Sequence, residues 1–151
     1  MNMEGLPLRN VIKVGDAASI PVSSSKPIGT INMLKMRDLI LTTKCAFAAG
    51  AVANLRINIY YSPDGQIIST VPWTYYDVTV TAASTVIAAS PIIDCPSIGY
   101  FIFRAENLDV GQVVTNVEVI AAYSLFGEEY KLADRIAVGA AIAAQSKRFG
   151  G

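Results

Sequence analysis

The chain has 151 residues, 52% apolar and 16% charged, with twelve basic side chains, twelve acidic ones and no histidine. That length suits one domain with its own core, and the apolar content excludes overall disorder. Zero net charge leaves no global excess to neutralise phosphates, so nucleic acid is not an expected partner; so apolar a chain instead points to surface covered by other chains.

Residues 1–28 read as an extended N-terminal arm. The stretch "LPLRNVIKVGDAASIPVSSSKPIG" holds three prolines, a serine triplet and only short apolar pieces. Val11–Val14 and Ser19–Val22 can each pair as a strand on a partner, which makes Val11, Ile12, Val14, Ile20 and Val22 expected contact residues. Pro21 and Pro27 cannot donate to a ladder and belong at edges or breaks. The start "MNMEGLPLRN" lacks the charged-then-apolar signal pattern. No apolar run reaches spanning length. The expectation is a chain made in the cytoplasm, with no membrane partner.

Residues 29–127 read as strand after strand. "INMLKM" and "DLILTTKCAF" come first, then the small-residue loop "AAGAVAN". "LRINIYYS" alternates, with Leu55, Ile57 and Ile59 on one face. "PDG" closes a turn, because proline presets φ and glycine tolerates positive φ. "TYYDVTVTA" alternates again, and "STVIAAS", the break "PIIDCPS" and the aromatic "IGYFIFRAEN" follow. After the turn "NLDVGQ", "VVTNVEVIAAYSLF" is the longest strand, placing Val114, Asn116, Glu118 and Ile120 opposite Val113, Thr115, Val117 and Val119. Frequent turn signals and no long helical pattern predict an all-β, antiparallel β-sandwich, jelly-roll-like.

Residues 128–151 change character. Glu128 and Glu129 open "EEYKLADRIAVGAAIAAQSKRFGG" and Lys147 and Arg148 near its end complement a helix dipole. The spacing predicts a short C-terminal helix whose narrow stripe includes Leu132, Ile136 and Ala140, the expected contacts of this tail.

Catalytic chemistry is thin. Without histidine, the usual near-neutral base and commonest metal ligand are missing. Cys45 and Cys95 have no partner residues for a zinc site or for nucleophile activation, and read as small buried thiols or one bridge. Asp64, Asp94 and Asp109 sit in apparent turns, where aspartate bonds its own backbone. Two carboxylates meeting in space would make a hydrolase, but no spacing points to it. No cofactor, metal or enzymatic activity is expected. The aromatic stretch "INIYYSPDGQIISTVPWTYYDV" leaves three readings: cross-strand packing, an inter-subunit contact, or a sugar-stacking platform. Neighbouring strand residues point to opposite faces, so only one of Tyr75 and Tyr76 can face the core. Tyr61, Trp73 and Tyr76 are the expected body contacts.

The segments "INIYYSPDGQ", "PWTYYDVTVTAAST", "PIIDCPSIGYFIFRAENLD" and "VTNVEVIAAYS" carry a cadence over residues 54–124 that resembles small β-sandwich virion proteins of tailed viruses, the capsid decoration or head-stabilising type. The resemblance implies a homo-oligomer, a trimer favoured, on a capsid lattice, located in the virion and contacting the major capsid protein or other virion subunits through arms. It carries over no catalytic residues. The expected function is a non-enzymatic virion structural protein of a bacteriophage-like particle; the alternative is a carbohydrate-binding module.

Overall fold

The computed structural model describes residues 10–127. Nine strands run in order: β1 (Val11–Ile20), β2 (Ser25–Asn32), β3 (Met36–Phe47), β4 (Leu55–Ser62), β5 (Thr74–Val78), β6 (Thr85–Ala89), β7 (Ile93–Asp94), β8 (Tyr100–Asn107) and β9 (Val114–Leu125). One sheet has the order β1-β9-β3-β6, with the short β7 also on β3, and the other has the order β2-β8-β4-β5. Every pairing is antiparallel. With β7 set aside, this is the strand order of an eight-stranded jelly roll. Both sheets feed one buried cluster, from Leu39, Leu41, Val117 and Val119 on the first sheet to Ile57, Ile59, Phe101 and Phe103 on the second. The rings of Phe101 and Phe103 meet in a T-shaped arrangement, at 84° and 6.2 Å between centres, a favoured aromatic geometry.

The expected arm is corrected by these pairings. From Val11 on, it is two strands of the body: β1 pairs β9 and β2 pairs β8. Both are edge strands, which is why Pro27 is tolerated in β2, where the register shifts between Pro27 and Gly29. β1 shifts register between Lys13 and Gly15. At these bulges the two edges nearly touch. A Cβ on Gly15 would lie 1.8 Å from the Ile28 carbonyl oxygen, and one on Gly29 would lie 2.0 Å from that of Val14. Only glycine permits this approach, and it closes one side of the sandwich.

The opposite side is bounded by the edge strands β5 and β6, which lie in different sheets. There the sheets are joined through the core by a hydrogen bond between the buried hydroxyls of Thr43 on β3 and Tyr76 on β5. One end of the body is tied by polar side chains. Asn107 Nδ2 donates to the carbonyls of Ile20, Pro21 and Gln112. Asp109 accepts from the backbone N–H groups of Val52, Ala53, Gly111 and Gln112. The β1–β2, β3–β4 and β8–β9 connections are thereby held to one another.

The last strand carries a second departure. Val114 and Val117 are both buried, although simple alternation puts them on opposite faces. β9 bulges here: Asn116 has φ 52°, and the register on β3 shifts between Lys44 and Ala46. The expected C-terminal helix, with Leu132, Ile136 and Ala140, lies outside the described residues.

Candidate functional site

The end of the body opposite the Asn107–Asp109 tie is where β4 meets β5 and β8 begins. The Ser-Pro-Asp-Gly segment turns there as its residues dictate. Asp64 Oδ1 accepts from the backbone of Gln66 and Ile67, the Ser62 hydroxyl accepts from Gly65 N–H, and Gly65 takes φ 83°. Those two backbone donors, Ile67 first, hold the Asp64 carboxyl below its usual range. The chain then runs through Ile67, Ile68 and Val71 before Trp73 N–H bonds the Ile59 carbonyl and starts β5.

Trp73 packs its ring on Tyr61 at 5.8 Å and on Phe101 at 5.9 Å, yet stays 51% exposed. It lines a groove with Tyr75, Pro91, Ile92 and Asp94, between the start of β5 and the segment around β7. Ile67, Val71, Ile92 and Ile98 are each about two-thirds exposed, and Leu34 and Phe126 more than half. The hydrogen bonds Met33 N–H to Gly99 O and Phe126 N–H to Lys35 O place Leu34, Ile98 and Phe126 at this same end. Exposed apolar side chains are ordinary when scattered; gathered at one end they mark a contact surface.

The expected contact residues divide. Trp73 lies on this surface, and Tyr61 is half-buried beneath it. Tyr76 is buried, and burial pushes its hydroxyl up to about 12; its neighbour Tyr75 is the exposed one, with the Arg56 guanidinium 4.1 Å from its ring centre. Ile20 is fully buried, and Val14 packs on the core. Ile20 therefore serves packing, and Tyr76, though buried, is also on the lining of the Trp73 groove. Val11, Ile12 and Val22 are exposed: Val11 and Ile12, at the start of edge strand β1, pair with Ala122 and Ala121 near the end of β9 and so lie at this same end on the β1 edge, whereas Val22 lies in the β1–β2 connection at the other end. Sequence reasoning passed over Ile67, Val71, Ile92 and Ile98. The available signal was apolar residues inside turn and break segments, "QIISTVP" and "PIIDCPSI", where polar ones are the rule.

Several other titratable groups have structural roles or are buried. Cys45 and Cys95 are both free, and burial raises their thiols to about 11 and about 12. The backbone donors, Val52 first, hold Asp109 below its usual range. A polar groove on the first sheet is lined by Asp16, Lys44, Asn116 and Glu118; Lys13 bridges Asp16 at 2.7 Å and Glu118 at 3.3 Å. Among the described residues no cluster of three or more His, Cys, Asp or Glu side chains is placed to hold a metal ion, and no helix is long and apolar enough to cross a membrane.

Fold and surface together define an all-β jelly-roll module with an apolar cluster at the Trp73 end, while Val52 and Val110, each 79% exposed, lie at the Asn107–Asp109 end. No family model matches the chain, and no curated protein does. Among solved structures it is similar to a chain of the T13 viral particle of IBDV, at 11% identity and TM-score 0.48. That match covers 78% of this chain but 31% of the other, so this chain spans under a third of that protein's length. It is also similar to a chain of the Bacillus endospore appendages, which form disulfide-linked pili, at 10% identity and TM-score 0.37, over 77% of this chain and 89% of that one. At these scores and identities neither likeness carries a functional argument.

Proposed function

We propose that this protein is a non-enzymatic structural protein that works by assembling with copies of itself and with other subunits of a virion, stabilising or decorating the particle. The observation that carries this reading is the apolar end around Trp73. A half-exposed tryptophan, seated on Tyr61 and Phe101 beside the exposed Ile92, with Ile67, Val71 and Ile98 exposed at the same end, has the composition of an interface centre. The cadence of residues 54–124, similar to capsid decoration proteins of tailed viruses, supports the virion setting, and jelly rolls are at home in capsids. Mechanically, a subunit that binds only the assembled lattice stabilises it by mass action, more so when several contacts engage together.

A carbohydrate-binding module is the second reading, favoured by one observation: Trp73 and Tyr75 are both about half exposed on one groove. Sedimentation of the full chain over a graded concentration range, alongside retention on immobilised glycans, decides between the two. The assembly reading predicts a mass above one chain, weakened by Ile92→Asp, and no glycan retention. A strict monomer that glycans retain and Trp73→Ala releases would overturn it.

A further inference from the structure

The described residues end at Gly127, at the same end as the Trp73 groove, because Phe126 N–H is bonded to Lys35 O beside the exposed Leu34. The groove is apolar at its centre, with Trp73 and Ile92, and carries the exposed Asp94 on its lining, with Asp64 on the neighbouring turn. The C-terminal segment has the matching order of residues: an uncharged, almost wholly apolar run "IAVGAAIAA" over 136–144, then Lys147 and Arg148. Small residues let such a run approach a tryptophan face closely, and the basic pair suits the exposed Asp94 on the lining.

We infer that residues 136–148 of one copy dock in the Trp73 groove of a second copy. This rests on the self-association reading above and names the partner of that surface. Two features select a second copy over the segment's own body. The eight residues 128–135, "EEYKLADR", include five charged side chains. To fold back at once, this spacer would lie over the apolar side chains of Leu34, Ile98 and Phe126 that surround its exit, at a desolvation cost for each charge. Eight residues can reach at most about 28 Å, enough to cross to a neighbouring module.

The test uses the full chain, with a photo-crosslinking benzoylphenylalanine at position 140, mixed with an equal amount of heavy-isotope chain. The inference predicts heavy–light crosslinks to peptides containing residues 67–75 or 92–98. It also predicts that Ile136→Asp and Ile92→Asp each raise the dissociation constant of self-association by about tenfold or more, as expected for the loss of a central interface contact. Ile92 is two-thirds exposed, so Ile92→Asp leaves the fold intact; unchanged circular dichroism checks this. Crosslinks confined to one copy, or association untouched by both variants, would overturn the inference while leaving self-association standing. A chain that stays monomeric at every concentration and on every particle overturns both.

Discussion

Gly15→Ala tests the closure of the sandwich at β1 and β2. The new methyl would start 1.8 Å from the Ile28 carbonyl oxygen, and contacts under 3.0 Å do not occur, so the two strands must part by about 1.2 Å. Both obstacles are main chain, so no rotamer change relieves the clash. Inserting one carbon into a packed site costs about 1–3 kcal/mol, occasionally more, and a backbone obstacle places this case near the top, at about 3 kcal/mol. For a body of this size that lowers the melting temperature by roughly 10 °C. Thermal unfolding followed by circular dichroism reads it directly. Gly29→Ala should cost a similar amount, and the double variant less than twice as much, because both substitutions part the same two backbones. Gly111→Ala is the control: its Cβ would have Asp109 Oδ1 at 3.8 Å as nearest neighbour, and it should stay within about 0.5 kcal/mol of the parent. A loss below about 1 kcal/mol for Gly15→Ala would refute the reasoning, since the edges would then be free to separate.

Two further substitutions probe the polar ties. Tyr76→Phe strips the partner from the buried Thr43 hydroxyl and should cost about 1–3 kcal/mol in urea unfolding, with Thr43→Val in the same chain recovering part of it. Asp109→Asn should destabilise at neutral pH, because an amide turns a donor toward backbone N–H groups that need an acceptor. Backbone donors depress the folded-state pKa of Asp109, so its contribution is present above the ordinary carboxylate range and fades as pH falls through the folded value. The gap in melting temperature between parent and Asp109→Asn should therefore narrow below about pH 4; a constant gap down to strong acid would refute the carboxylate's role.

The strands legible in the sequence were those with undisturbed alternation. Leu55, Ile57 and Ile59 alternate toward the core as their spacing dictates; alternation also sends one of Tyr75 and Tyr76 inward but does not say which, and Tyr76, expected as a contact, is the buried one. The arm reading failed over residues 11–28 for a physical reason. β1 and β2 are edge strands broken by bulges at Lys13–Gly15 and Pro27–Gly29, so their apolar residues do not keep a period of two. The bulge at Asn116 hid the shared face of Val114 and Val117 in the same way. Asn107 and Asp109 were visible as turn formers, but local sequence does not say which distant backbone a turn side chain will tie, such as Val52. Of the apolar end, only the aromatic members stood out. Ile67, Ile92 and Ile98 sit in connections, and their neighbourhood follows from the topology rather than from any local pattern.

Trp73 is the chain's single tryptophan, so its fluorescence reports on the apolar end alone. Acrylamide quenching, measured on the full chain from dilute solution to concentrations where the mass rises above one copy, tests the assembly reading at its centre. The account predicts a blue shift and a several-fold loss of quenching as copies associate and cover the indole. Quenching that stays at its dilute value while the mass climbs would place the contact elsewhere and contradict it.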